Sequence, residues 1–369
     1  MAAFVPPPYP YERLEPMRAK AEAHEGGAVD LSVGTPNDAP QDSVLRALAN
    51  SGTERGYPPS VGTPEFRDAA VFWLQRRLGV QVPLAQVAAC VGTKEFVASL
   101  PQYLKLRAPE RDTILYPAVS YPTYAMGATL AGCRAVPVAV DEAWRVDLST
   151  ISAGDAQRCL ALWVNSPGNP AGQLDDLGAA AAWGRQHGVP VFSDECYAEF
   201  TWEGRARSIL EHGTDGVVAI HSLSKSYNLA GIRAGFYAGD ADLVSYLSEV
   251  RKHAGLMVPG PTQAAAAAAL EDPGAVLDQR ARYWERLDFF ARVLAARSPG
   301  TKPPEGGFYL WVAAPGGDAW TFAEQLAAEG GALVTPGDTF GPQGAGHVRV
   351  AMVQPMERLQ LVGRRLRTA

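Results

Sequence analysis

Lys225 leaves an apolar run between hydroxyl-bearing neighbours, in His221-Ser222-Leu223-Ser224-Lys225-Ser226, and Arg233 follows eight residues later. A lysine amine can form a Schiff base with a carbonyl group, while serine hydroxyls and a planar guanidinium can hold a phosphate dianion. A solvated loop lysine is the plainer alternative. Asp194 closes a second apolar run, Val191-Phe192-Ser193-Asp194, with Tyr197 three residues on. Its carboxylate suits a protonated ring nitrogen and the phenol a ring hydroxyl; a helix-capping aspartate and a core tyrosine fit equally well. Asn165-Ser166-Pro167-Gly168-Asn169-Pro170-Ala171-Gly172 follows a third such run. Its prolines and glycines enforce a shaped loop that offers Asn169 as a donor, or simply a strand-to-helix turn. Gly92-Thr93-Lys94 opens a helix after a fourth run, and helix N-termini seat phosphates through unpaired N–H groups. It lacks the glycine spacing of a P-loop. Together the four segments supply a phosphate seat, two ring contacts and a covalent lysine.

The elements that must hold these groups alternate along the chain. Short apolar runs at 87–91, 113–116, 135–140, Cys159–Asn165, 189–193, 217–221 and 234–238 are interleaved with helical stretches such as 94–107, 121–132 and 174–187. Buried strands separated by helices imply a mostly parallel sheet covered on both faces, with ligands at the strand carboxyl ends. Beyond residue 260 an alanine-rich helix, a long charged helix over 273–297 and the strands 307–312 and 347–352 indicate a smaller α+β domain. The expected division is an N-terminal arm with part of the small domain over 1–39, a large cofactor-binding domain over 40–258, and a small C-terminal domain over 259–369. Pro6-Pro7-Pro8 and Pro10 predict an extended arm, and 11–24 a helix.

Taken together, these motifs resemble the class I/II aminotransferases of the fold-type I pyridoxal-phosphate superfamily, from Val33-Gly34-Thr35-Pro36 to His347-Val348-Arg349-Val350. The resemblance implies an α/β fold with a mixed, mostly parallel seven-stranded sheet between helices plus the smaller α+β domain, and pyridoxal 5'-phosphate as cofactor. It implies Lys225 as the Schiff-base and proton-carrying lysine, Asp194 as partner of the ring nitrogen, and Tyr197 and Asn169 on the ring hydroxyl. Ser222, Ser224, Arg233, Thr93 and Lys94 become the phosphate cup, with Gly92 allowing close backbone approach. Arg349 grips the substrate α-carboxylate, and Gly34 and Asn169 line the same place. Tyr57 in Gly56-Tyr57-Pro58-Pro59 reaches the phosphate of a partner subunit, which implies a homodimer with shared sites. Tyr121 is the expected ring-stacking aromatic; another register puts Ala118 there. Ala171 stands where the family carries threonine.

Within the family, Leu31-Ser32-Val33-Gly34-Thr35-Pro36, Ser120-Tyr121-Pro122-Thr123-Tyr124 and Asn228-Leu229-Ala230-Gly231 are similar to the actinobacterial N-succinyldiaminopimelate aminotransferases of lysine biosynthesis. That implies exchange between glutamate/2-oxoglutarate and N-succinyl-LL-2,6-diaminopimelate. Aspartate, aromatic or LL-diaminopimelate specificity and a C–S β-lyase are the competing expectations, since one scaffold serves several reactions.

The bulk properties agree. A formal charge of −6 with 20% charged residues gives no basic stripe for nucleic acid. Cys90, Cys133, Cys159 and Cys196 have neither metal-site nor redox spacing and read as reduced thiols. The N-terminus lacks the pattern of a secretory signal, so a soluble cytoplasmic protein is expected.

Overall fold

The computed structural model describes residues 4–6 and 10–368, so Pro7 and Pro8 of the expected arm lie outside the described residues. Two compact units divide the chain. One comprises 38–282 with 304–307, the other 1–37, 283–303 and 308–369.

The first unit is built on seven strands: β1 (Val87–Cys90), β2 (Thr113–Pro117), β3 (Arg134–Val138), β4 (Cys159–Asn165), β5 (Val191–Asp194), β6 (Val217–Ser222) and β7 (Gly235–Gly239). Their order is β1-β7-β6-β5-β4-β2-β3, with β7 antiparallel to both neighbours and every other pairing parallel. Every residue of β4, β5, β6 and β7 is buried, which is why these segments read as unbroken apolar runs. Fully burying each Val, Leu or Ile here contributes about 1.5–3 kcal/mol before chain entropy is counted.

Register decides what the sheet presents. Asn165 lies opposite Asp194, and Asp194 opposite Ile220. Cys90 and Ser222 both pair with Gly235, from opposite sides of β7. The outgoing ends of β1, β4, β5 and β6 and the incoming end of β7 therefore share one edge of the sheet.

Helix ends are set by caps that apolar spacing does not reveal. The helix expected over 174–187 begins at Leu177 because Asp176 accepts a hydrogen bond from Ala179 N (2.9 Å), and it stops at left-handed Gly188. The helix expected over 121–132 covers Thr123–Leu130: Pro122 precedes its first turn, and Gly132 has φ 66°. Among the described residues no helix is long and apolar enough to cross a membrane.

In the second unit, Val29–Asp30 pairs in parallel with Ala332–Leu333. A three-stranded antiparallel sheet holds His347–Ala351 between Thr335–Pro336 and Tyr309–Ala313. Helices Glu15–Glu22, Ala319–Gly330 and Met356–Thr368 belong to this unit. Its N-terminal segment is thus part of its fold.

Candidate active site

An anion seat forms where β1 and β7 meet. Gly92 has φ 73° and precedes the helix Thr93–Arg107, so main-chain N–H groups and the positive helix end point at the sheet edge. A Cβ on Gly92 would lie 2.2 Å from Arg233 Nη2, so any side chain here would push the guanidinium from its place, and the φ of 73° strains any residue but glycine. Arg233 is itself left-handed (φ 57°) and is anchored by an Nη1 bond to Ala230 O at 2.8 Å. Ser222 caps the short helical turn Leu223–Ser226 by accepting from Ser224 N at 3.2 Å. Gly92, Thr93, Ser222, Ser224 and Arg233 thus come together around one edge, with Lys225 on the turn between the last two. Lys94 belongs to the first turn of the helix but its side chain is exposed. A phosphate dianion fits this set, which offers helix-end donors, hydroxyls and a guanidinium. Gly92→Ala adds a methyl group where that guanidinium sits, at a strained φ; we expect cofactor to dissociate at least ~10-fold faster, measured by dilution and fluorescence.

Beside the seat, Asp194 is buried at 7% exposure. Its Oδ2 accepts from Tyr124 Oη at 2.8 Å and its Oδ1 from Cys196 N at 3.2 Å. Burial raises its pKa above the ordinary value, while the Cys196 and Tyr124 bonds and the Lys225 ammonium oppose that rise. A protonated ring nitrogen would supply the cation that such a carboxylate favours, so a pyridine ring fits here. Asn165 ties the neighbouring loop down: its Nδ2 donates to Asp194 O (2.8 Å) and its Oδ1 accepts from Asn169 N (2.8 Å). Asn169 and Tyr197 are both buried. Tyr121 stands edge-on to Tyr124, with ring centroids 6.0 Å apart, one ring away from Asp194. Ala118, the alternative, follows β2 directly, and its N donates to Val138 O on β3.

Tyr124, Asn165 and Cys196 touch the key groups without having been assigned a role from sequence. Cys196 Sγ also lies 3.4 Å from Thr93 Oγ1. Tyr124 was visible in the sequence as the end of the Ser120–Tyr124 motif, three residues after Tyr121; the structure puts it in the first turn of the helix Thr123–Leu130.

In the second unit Arg349 is buried at 2% exposure. Its guanidinium is sandwiched between the rings of Tyr309 (4.4 Å) and Phe340 (4.5 Å). Nη2 donates to Tyr11 Oη at 3.0 Å and to Ser32 O. A Cβ on Gly34 would lie 1.9 Å from Tyr309 Oη, so this glycine is dictated by packing. Tyr57, in the first unit, is 97% exposed.

Comparison with known proteins accords with this chemistry. The sequence model "Aminotransferase class I and II" matches residues 27–364. The chain is 40% identical to 4-dedimethylamino-4-oxo-anhydrotetracycline transaminase OxyQ of Streptomyces rimosus, over 98% of this chain and 99% of that protein. It is 41% identical to the probable aminotransferase Rv1178 of Mycobacterium tuberculosis, over 96% of this chain and 83% of that one. Among solved structures, a probable N-succinyldiaminopimelate aminotransferase from Thermus thermophilus superposes with a TM-score of 0.88 at 31% identity, covering 98% and 100% of the two chains. The chain belongs to the class I and II aminotransferases, a pyridoxal-phosphate-dependent family of fold type I.

Proposed function

We propose that this aminotransferase exchanges an amino group between glutamate/2-oxoglutarate and N-succinyl-LL-2,6-diaminopimelate. Bound pyridoxal phosphate supplies a carbonyl carbon to receive nitrogen and an electron-withdrawing ring. The protein does the rest. Gly92, Thr93, Ser222, Ser224 and Arg233 hold the phosphate. Asp194 keeps a negative charge against the ring nitrogen, which favours its protonated form. Asn169 and Tyr197 orient the ring through its hydroxyl, and Tyr121 covers one face. Lys225 Nζ would be the group linked to the cofactor at rest, and, once free, it would take the proton from the donor's α-carbon and hold it for return. Arg349 presents a planar fork to the α-carboxylate, a role both half-reactions share. Tyr57, almost wholly exposed, reaches the phosphate of a second subunit in a homodimer.

The observation that carries the substrate reading is the full-length match to the Thermus thermophilus protein, joined to a buried Arg349 suited to an amino-acid carboxylate. A second reading has its own support. OxyQ is 40% identical end to end, and its name specifies an oxo-anhydrotetracycline, so a polycyclic ketone is the competing acceptor. Arg55 is the candidate cation for the distal carboxylates of such a substrate, since Lys20 is already paired with Glu324.

The test is the visible spectrum of the cofactor-loaded enzyme on adding each compound alone. Loss of the lysine-bound band with N-succinyl-LL-diaminopimelate and glutamate, but not with free diaminopimelate, supports the first reading. Response to glutamate, followed by recovery of the band with the oxo-anhydrotetracycline alone, moves the assignment to the second. Pyruvate and ammonia released from cystathionine would indicate a lyase.

A further inference from the structure

Glu195 stands one residue beyond Asp194, the last of β5, and His221 one residue before Ser222, the last of β6. Glu195 Oε2 lies 3.3 Å from His221 Nε2, with side-chain exposures of 0% and 4%. The two atoms approach without forming a hydrogen bond, and each is buried with no other partner, while the groups are held there from several sides. Glu195 Oε1 accepts from Ile209 N at 2.8 Å, and Glu195 N donates to Ile220 O at 2.9 Å. Trp73 and Phe236 wall the imidazole, with ring centroids at 4.9 and 5.0 Å. The pair borders a small internal cavity that it shares with Glu199, Ser226 and Tyr227.

The surroundings decide the charge state. Glu199 carries a negative charge already matched by Arg77 Nε and Nη2 (3.0 and 2.7 Å) and Trp73 Nε1 (2.9 Å). It disfavours a second carboxylate on the same cavity, as does neighbouring Asp194. Cys196 and Tyr227, the other titratable groups here, are kept neutral by burial. A glutamate–imidazolium ion pair would put two more charges among aromatic rings, and desolvation of such pairs commonly exceeds their attraction. A carboxylic acid beside a neutral imidazole would give both orphaned atoms a partner, through one O–H···N bond, without that cost. Burial accordingly pushes Glu195 up to about 8 and His221 down to about 3.

We propose that Glu195 is kept as the neutral acid and shares its proton with His221 Nε2, forming an uncharged clip that fixes the ends of β5 and β6 at the spacing Asp194 and Lys225 require. Both are positioning residues, and the inference rests on the roles read above for Asp194 and Lys225.

The experiment compares the holoenzyme with Glu195→Gln and Glu195→Ala. A group whose folded pKa is about 8, above its ordinary 4.5, contributes stability below 4.5 that is lost as pH rises through 8. Glu195→Gln removes that loss. The difference in unfolding temperature, Gln minus parent, therefore rises between about pH 5 and 8. A flat or falling difference shows an ionised Glu195 and overturns the proposal. Cofactor release provides the second readout. The Gln variant keeps a donor and stays within about twofold of the parent, whereas the Ala variant releases cofactor about tenfold faster. Release from Ala at the parental rate removes the positioning role, and release from Gln as fast as from Ala removes the uncharged bond. Should Glu195→Ala not fold, His221→Phe keeps a ring without an acceptor and gives the same comparison. If the parent lacks the lysine-bound band, the cofactor roles fall, while the pH trend still decides the state of Glu195.

Discussion

Lys225→Ala is expected to bind pyridoxal phosphate, to lack the visible band of the lysine-bound cofactor, and to turn over at least ~10⁴-fold more slowly than the parent. Binding survives because the phosphate seat is made by other groups. Gly92 and the helix behind it, Ser222, Ser224 and Arg233 are untouched by the substitution. Turnover is not expected to survive, because the role proposed for Lys225 is that of both nucleophile and proton carrier. In the cofactor-free protein the variant also removes the ammonium that lowers the pKa of Asp194, so that carboxyl rises further. Single-turnover mixing with glutamate, monitored across the visible range, is the measurement. Turnover within tenfold of the parent would sink the assignment of the lysine.

Asp194→Asn is expected to separate stability from activity. Asparagine is isosteric: its Oδ1 can still accept from Cys196 N, and its Nδ2, standing where Oδ2 was, donates to Tyr124 Oη, which then acts as acceptor. It cannot carry charge, so kcat falls by about 10²–10³ through loss of electrostatic stabilisation. The cofactor-free protein behaves in the opposite way. Burial raises the pKa of Asp194 above the ordinary 3.8, so its contribution to stability is present below that value and lost as pH rises through the folded pKa. The cofactor-free Asn variant is therefore more stable than the parent at neutral pH, and its advantage disappears in acid. Melting curves from about pH 4 to 8, beside steady-state rates, test both halves. A kcat close to the parent would show that the ring nitrogen does not depend on this carboxylate.

What the sequence made legible follows from burial. Strands β4, β5 and β6 are covered on both faces, so their composition alone exposes them, and the polar residue that ends each run stands out: Asn165, Asp194, Ser222. Lys225 and Arg233 were visible because a lysine and an arginine close to a buried strand need a reason. Helix ends were less legible, since Asp176 and Pro122 act through a single hydrogen bond or a fixed φ that leaves no periodic trace. Contacts between distant segments were not legible at all. Tyr124 reaches Asp194 across 70 positions, and Glu195 meets His221 only because β5 and β6 are adjacent. A residue's own neighbourhood in the chain reveals what it could do, and the sheet order decides whom it meets.

The place of β7 has a consequence for how the molecule is made. Strand β1 lies at the edge of the sheet and is joined to it only through β7, the last of the seven strands in the chain. Gly92 therefore cannot meet Arg233 until everything between them has been synthesised. Closure over such sequence distances is slow compared with local helix formation. A cofactor that binds only the finished cup adds stability by mass action and slows unfolding, without hastening the search that precedes it. During translation the nascent chain offers pyridoxal phosphate no complete seat until β7 has left the ribosome.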